Sequence, residues 1–162
     1  MAFGPDFARE MKADEDAQVT ALLDLAFGGP AESRLVQALR KSRVIAGETV
    51  LPYQGQIIGY FALSYMVKPK GWLCLAPVAI HPDWQGKHHG QRMMGLLSEW
   101  ARISQTPVVV LGDPTFYTRC GFSLAMAANL TSPYPIDHTM LAGVAGKPPR
   151  EALVYHPAFG ES

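Results

Sequence analysis

The residues with the clearest chemical potential form a loop between an apolar strand and a helix. Leu73–Ile80 is apolar and rich in branched side chains, which favours a strand, and a polar turn follows it. A helical pattern begins at about His88. Backbone N–H groups in the first turn of a helix lack intrahelical partners, and the helix dipole adds positive charge there. Residues 85–90 are therefore a candidate site for a phosphate-bearing ligand.

This loop, QGKHHG, lacks the two most familiar phosphate-binding patterns. A Walker loop would end in Gly-Lys-Ser/Thr, and a dinucleotide fingerprint would read Gly-x-Gly-x-x-Gly. The preceding strand and the amphipathic helix that follows still favour an anion site. A nucleotide-binding protein that uses the same loop for ATP or NAD is one rival interpretation.

Histidine and cysteine residues suggest other chemistry, which their positions argue against. His81, His88 and His89 have no cysteine or carboxylate cluster at ligand spacing, so we expect no metal site. Cys74 lies in an apolar strand and Cys120 in a turn, where nothing marks an activated thiolate. We expect two buried, reduced thiols.

The spacing of apolar residues alternates along the chain between that of helices and that of strands, and it predicts the elements that position the loop. The pattern predicts the order β-α-α-β-β-β-α-β-α-β-β, a mixed sheet with helices packed on it. The first strand is expected at 7–11, followed by a helix whose start is capped within 13–16 and a second helix with a basic last turn. A hairpin joins 44–53 to 56–67 through the turn Gln54-Gly55. The remaining predicted strands are 72–80, 108–111, one that starts at Gly121, 139–144 and 151–155.

Composition places the chain among ordinary globular proteins. It has 162 residues, 48% of them apolar, with 14 basic and 14 acidic side chains. We expect one domain spanning 1–162. The balanced charge argues against nucleic acid or a membrane surface as a partner. The absence of a signal-peptide pattern and of a long apolar run predicts a cytoplasmic location.

Two segments resemble the GNAT superfamily of acetyl-CoA-dependent acyltransferases. Residues 78–90, VAIHPDWQGKHHG, are similar to its motif A, a strand, then His-Pro, then Gln/Arg-x-x-Gly-x-Gly/Ala at a helix start. Residues 111–122, LGDPTFYTRCGF, resemble its second signature, a strand followed by Phe-Tyr-x-x-x-Gly-Phe. The lead-ins Leu-Ala-Pro and Leu-Gly-Asp-Pro are similar to one bacterial branch of N-acetyltransferases. The resemblance implies an α/β (α+β) fold, with a central, mixed but mostly antiparallel sheet flanked by helices.

The resemblance also implies a role for individual residues. Backbone groups of Val78 and Ile80 would pair with the pantetheine arm of acetyl-CoA, the co-substrate. A backbone N–H near Val78 or Ala79 would polarise its thioester carbonyl. Amides of the loop would hold the pyrophosphate. Tyr117 would protonate the departing CoA thiolate. The cofactor-binding set implied in this way is Val78, Ala79, Ile80, Gln85, Gly86, Lys87, His88, His89, Gly90 and Phe116.

Two departures from the superfamily pattern concern His88 and the general base. His88 stands where the pattern has the first glycine of its pair, so its imidazole would either crowd the pyrophosphate or contact it. The strand before the loop carries no carboxylate. Asp113, Glu48 or water is therefore the candidate acceptor of the amine proton.

The implied activity is direct transfer of an acetyl group from acetyl-CoA to an amine. The alternative is a non-catalytic module that senses or binds acyl-CoA with the same fold. Segments expected to line the acceptor pocket are apolar and aromatic, so we expect a small-molecule or peptide amine rather than a highly basic one. A homodimer is possible, and the sequence leaves the oligomeric state open.

Overall fold

The structure is a computed structural model that describes residues 7–160. Six strands form one mixed sheet in chain order. β4 pairs with β5 in parallel, whereas β1 with β2 and β5 with β6 are antiparallel. The strands are β1 (Arg9–Glu10), β2 (Ile45–Tyr53), β3 (Gln56–Tyr65), β4 (Leu73–Ile80), β5 (Val108–Leu111) and β6 (Thr139–Ala142). The helices are α1 (Asp16–Phe27), α2 (Ala31–Lys41), α3 (His89–Ser104), α4 (Pro114–Arg119) and α5 (Leu124–Ala127).

The chain divides into two compact units, described separately below. The first contains residues 7–63 together with 76–90, and the second contains 64–75 together with 91–160. The one domain predicted over 1–162 stays a prediction. Within residues 7–160, no helix is long and apolar enough to cross a bilayer.

In the first unit, apolar side chains of α1, α2 and the hairpin form a core. Gly28 ends α1 in the left-handed region at φ 73°, as expected for a helix stop. The predicted hairpin is confirmed, and its turn at Gln54 and Gly55 has φ values of 48° and 80°, the signs that a two-residue hairpin turn favours. The buried core residues are Val19, Leu22, Leu23, Val36, Val50, Ile57, Tyr60, Ala62 and Ala79.

The acidic segment 13–16 was expected to cap α1, but its Glu15 side chain caps a short 3-10 turn that precedes the helix. A short 3-10 turn, Ala13–Glu15, precedes the helix, and the Glu15 carboxylate accepts the Lys12 N–H at 2.8 Å. The same carboxylate accepts two bonds from the Arg9 guanidinium, at 3.0 and 2.7 Å. The hydrogen bonds from Arg9, and then the one from Lys12, lower the pKa of Glu15 to about 2. No capping side-chain bond joins Glu15 to α1 itself.

In the second unit, β5 is the buried centre of the strand ladder. Its first residues, Val108 and Val109, pair with Leu73 and Cys74 of β4 on one side. On the other side all four residues of β5 pair with β6. Val108, Val109 and Val110 are almost fully buried, which fits the apolar strand predicted there. α3 buries Met93, Met94, Leu97 and Ala101.

Three predicted strand boundaries near the C-terminus were wrong. At 121–123 the chain forms only one bridge, from Ser123 to Leu141, before α5 begins. The Ser123 hydroxyl accepts the Met126 N–H at 3.1 Å and so starts a helix instead of a strand. β6 stops before Gly143, where φ is 82° and an added Cβ would lie 2.0 Å from the Thr106 carbonyl oxygen.

The predicted strand at 151–155 is also absent from the second unit. Ala152 bridges to Thr131, whereas Val154 bridges to Lys68. Because nearly adjacent residues pair with different segments, no continuous ladder forms. Cys74 and Cys120 are both buried and unpaired, as the sequence predicted.

Candidate active site

The loop that follows β4 is anchored at its root by side-chain and backbone hydrogen bonds. The His81 N–H donates to the Ile58 carbonyl at 2.8 Å, and His81 Nδ1 accepts the Asp83 N–H at 3.1 Å. Gln85 Nε2 donates to the Ile80 carbonyl at 3.0 Å. These bonds close the chain over the 3-10 turn Pro82–Trp84. Val78, Ala79, Ile80 and the loop residues thus lie in one continuous segment of the first unit.

Trp84 organises the side chains of this loop. Its ring lies edge-on against Tyr53, with centroids 4.8 Å apart, and tilted against the buried His89, 6.0 Å away. The Lys87 ammonium lies 5.2 Å from the Trp84 ring centroid, a cation–π contact. Lys87 and His88 are exposed, so an ammonium and an imidazole reach solvent from one short loop. Sequence reasoning missed Trp84, although a tryptophan in a polar turn is itself an unusual signal.

His88 has the backbone conformation that a glycine would be expected to supply. Its φ is 66°, and Gly86 two residues earlier has φ 76°. A non-glycine residue in this region costs about 1 kcal/mol, and histidine tolerates it better than most. α3 begins at His89 rather than at His88, because the left-handed residue cannot be part of the helix. The loop therefore keeps a left-handed backbone at this position and adds an exposed imidazole to it.

Tyr117 lies in α4, whose start is well defined. The Asp113 carboxylate accepts the Thr115 N–H at 3.0 Å and Pro114 occupies the first helical position, so both residues favour helix initiation. The Tyr117 ring contacts Phe116 and Phe122 edge-to-face, with centroids 4.9 and 5.7 Å apart. Tyr117 and Phe116 therefore lie together in the second unit.

The half-buried phenol of Tyr117 is held in its protonated form. Burial, with a smaller contribution from nearby Cys120, raises the pKa of Tyr117 to about 12. At neutral pH the group therefore carries a proton that it can donate. Gly112 makes room for the ring, since an added Cβ there would lie 2.6 Å from Tyr117 Cε2. The chain thus fixes both the protonation and the position of this phenol.

The two candidate carboxylate bases are both engaged elsewhere. Asp113 caps α4, as described above. Glu48 has a side chain only 13% exposed and accepts Arg40 Nη2 at 2.7 Å and the Tyr60 hydroxyl at 2.6 Å. Arg40 also donates to Asp16 at 2.5 Å, so one guanidinium joins α1, α2 and β2.

The pKa values of this cluster fit a permanently charged guanidinium beside a neutral phenol. Burial alone would lower the pKa of Arg40, but its hydrogen bonds to Glu48 and Asp16 outweigh burial and raise it. Burial and the neighbouring Glu48 carboxylate raise the pKa of Tyr60. The cluster therefore holds the first unit together.

A cavity of about 540 Å³ lies in the second unit, near the C-terminal end of α3. Trp72, Ser98, Glu99, Arg102 and Leu141 are among its lining residues. None of the residues predicted to bind acetyl-CoA or to catalyse transfer lines it. Among residues 7–160, no group of three or more His, Cys, Asp or Glu side chains is placed to hold a metal ion.

Residues 40–124 match the family described as the acetyltransferase (GNAT) domain. The uncharacterized N-acetyltransferase YhbS of Escherichia coli K12 is 32% identical over 123 residues, which is 72% of this chain and 73% of that protein.

Two solved structures share the fold. YhbS from Escherichia coli, in complex with CoA, has a TM-score of 0.81 at 25% identity, covering 94% of this chain and 91% of its own. A GNAT family acetyltransferase from Brucella melitensis, in complex with acetyl-CoA, has a TM-score of 0.77 at 24% identity, with coverages of 95% and 97%. These matches confirm the predicted fold class.

Proposed function

Because the chain belongs to the GNAT family of acetyltransferases, we propose that it transfers an acetyl group from acetyl-CoA directly to an amine. The observation that carries the proposal is the position of the half-buried Tyr117 phenol, whose ring packs against Phe116 and Phe122 at the tyrosine of the second signature. A proton donor is the group that a departing thiolate requires. The acylated co-substrate supplies the activated acetyl group, and the acceptor is an amine of unknown identity.

We assign CoA binding to residues 78–90. Support comes from the strand-loop-helix order, from the left-handed residues Gly86 and His88, and from the family relatives solved with CoA and acetyl-CoA. Backbone amides of the loop suit the pyrophosphate, because a helix N-terminus attracts anions. Val78 and Ala79 are proposed to meet the pantetheine arm and the thioester carbonyl. Phe116 is proposed to contact the same co-substrate beside Tyr117.

The proposed chemistry needs one proton donor and one proton acceptor. The amine nitrogen forms a bond to the thioester carbonyl carbon, and the carbon–sulfur bond then breaks. Tyr117 gives its phenolic proton to the sulfur as that bond breaks, which releases CoA as a thiol. The proton that the amine loses passes to water, since Asp113 and Glu48 are both held by structural hydrogen bonds. Solvent then reprotonates Tyr117.

Location and acceptor class rest on the sequence alone. We propose a cytoplasmic enzyme that acts on a small-molecule or peptide amine, because the segments expected to line the acceptor pocket carry few acidic side chains. A highly basic peptide or polyamine would favour an acidic cleft.

The decisive comparison is Tyr117→Phe against wild type. We expect kcat/KM for acetyl transfer to fall by about 10²–10⁴-fold, while the Kd for acetyl-CoA by calorimetry stays unchanged. Tyr155→Phe is the matched control, because it also removes a hydroxyl from a half-buried tyrosine of the second unit. It should leave turnover unchanged.

The rival functions predict different results. A non-catalytic acyl-CoA-binding module would bind acetyl-CoA yet release no thiol with any member of a broad amine panel. A nucleotide-binding protein would bind ATP or NAD and not CoA. Equal turnover by wild type and Tyr117→Phe would remove Tyr117 from the mechanism.

A further inference from the structure

The outward face of α3 carries an apolar stripe that the rest of the second unit leaves open. Leu96, Trp100 and Ile103 are 56%, 45% and 68% exposed, respectively. At about 100° per residue the three side chains fall within an arc of about 60°. Single exposed apolar residues are ordinary, but three on one arc of one helix form a patch. Such a patch favours a protein partner.

Charged residues flank this stripe on one side only. Glu99 and Arg102 lie one turn apart and form an ion pair with each other. Both side chains are largely exposed, at 55% and 68%. The pair is electrically neutral, so a partner that presents the same two charges in reverse order would be complementary to it.

We propose that the Leu96–Trp100–Ile103 stripe is the contact surface for a second copy of this chain, with the two α3 helices antiparallel. A two-fold axis at Trp100 brings each Leu96 opposite the partner's Ile103, and the two Trp100 rings together. The same register brings Glu99 next to the partner's Arg102. One alignment therefore pairs the apolar residues and the charges at once, as an isologous interface requires.

The charges meet on the same flank because of the symmetry. A two-fold axis that lies in the interface and perpendicular to the helices keeps each flank on its own side while it reverses the direction of the chain. Glu99 and Arg102 both lie on one flank, so the two pairs become a cluster of four alternating charges. A parallel pairing, whose two-fold axis runs along the helices, would put the two charged flanks on opposite sides of the pair, so that no Glu99 would meet a partner's Arg102.

The size of the stripe sets the expected strength. From Leu96 to Ile103 the helix rises about 10 Å, and the whole of α3 is about 24 Å long. One helix pair of this length falls below the roughly 1,200 Å² of a stable interface. We therefore expect a weak, concentration-dependent dimer with a Kd on the order of tens of micromolar.

Sedimentation velocity of the full chain from about 5 to 500 μM tests the proposal, since this range brackets that Kd. Wild type should shift from monomer to dimer across it. Ile103→Asp should weaken association by about a hundredfold, because the two-fold axis repeats the lost apolar contact. Leu25→Ser, at a residue of α1 that is also 55% exposed, is the control and should dimerise like wild type.

Charge reversal tests the antiparallel register itself. Glu99→Arg makes both positions of the pair positive and Arg102→Glu makes both negative, so each variant alone should associate about tenfold more weakly. An equimolar mixture of the two should recover association, because each flank then faces its opposite. The double variant should also dimerise. Recovery in the mixture cannot come from misfolding, since both chains must be folded to pair.

Three results would overturn the proposal. The first is a wild-type chain that stays monomeric up to the highest concentration. The second is Ile103→Asp with unchanged association, which would place any dimer on another surface. The third is failure of the charge-reversed mixture to recover, which would rule out the antiparallel register. A wild-type chain that binds only a different protein and stays monomeric by itself would also overturn the proposal.

Discussion

Gly112→Ala would test whether the position of the Tyr117 phenol, and not only its presence, controls catalysis. An added Cβ would lie 2.6 Å from Tyr117 Cε2, whereas ordinary contact begins near 3.4 Å. The ring must therefore move by about 0.8 Å. A shift of roughly 1 Å in a catalytic group costs on the order of 10²-fold in rate. We expect kcat/KM to fall by about that factor.

The stability cost of Gly112→Ala should be small by comparison. The new methyl group meets a side-chain ring and no backbone atom, and Gly112 has no positive φ to lose. Displacing the ring weakens edge contacts with Phe116 and Phe122, which are worth about 1 kcal/mol together. That corresponds to a fall in Tm of about 2–4 °C.

Steady-state kinetics and thermal denaturation of five proteins separate the explanations: wild type, Gly112→Ala, Tyr117→Phe, the double variant and a glycine control. In a Tyr117→Phe background, adding Gly112→Ala should change kcat/KM little, because the moved hydroxyl is already gone. Gly95→Ala is the glycine control, with nothing within 4 Å of its added Cβ. It should leave kcat/KM unchanged. Our reasoning is refuted if Gly112→Ala lowers kcat/KM equally in both backgrounds, or in neither.

The remaining predictions concern His88 in the loop and the loss of folding stability at acid pH. His88→Gly should raise the free energy of unfolding by about 1 kcal/mol, because the left-handed residue is relieved, and should leave acetyl-CoA affinity equal or better in calorimetry. A large loss of affinity would instead show that the imidazole binds phosphate. Glu15 has its pKa lowered to about 2 in the folded state, so it stabilises the fold above about pH 4.5 and that contribution disappears as the pH falls towards 2. Glu15→Gln should therefore cost about 1 kcal/mol at pH 7 and flatten the loss of stability over that range in urea titrations, whereas an unchanged acid limb would contradict the role of Arg9.

Local sequence patterns predicted the elements whose causes are local. The strand-loop-helix order around Leu73–Ile80 follows from hydrophobic period, and the hairpin from a two-residue turn signal. The family was inferred from two short motifs, and the comparisons show the same family. What the sequence could not supply depends on distant partners. An added Cβ at Gly143, the residue after β6, would lie 2.0 Å from the Thr106 carbonyl oxygen, 37 positions away in the sequence, so the need for glycine there depends on that distant residue.

In the candidate site, too, residue types could be predicted from the sequence, whereas contacts between distant segments could not. Glu48 is recognisable as a carboxylate from the sequence, but its hydrogen bonds to Arg40 and Tyr60 require three elements to meet. The left-handed backbone of His88 could be inferred only through the glycine that the motif has there. The catalytic and cofactor roles assigned to individual residues stay predictions, and the variants above address them.

The reactivity of the two buried cysteines can be used to measure how often the second unit unfolds locally. Cys74 and Cys120 are only 5% and 4% exposed, and burial raises the pKa of Cys74 to about 12 and also raises that of Cys120. At neutral pH only about one Cys74 in 10⁵ is a thiolate, so a disulfide reagent should react only after the fold opens. The rate of labelling by the reagent then reports how often the fold opens, without any engineered cysteine or attached label. Acetyl-CoA, whose sulfur is acylated, allows the same count with co-substrate bound, whereas free CoA would consume the reagent.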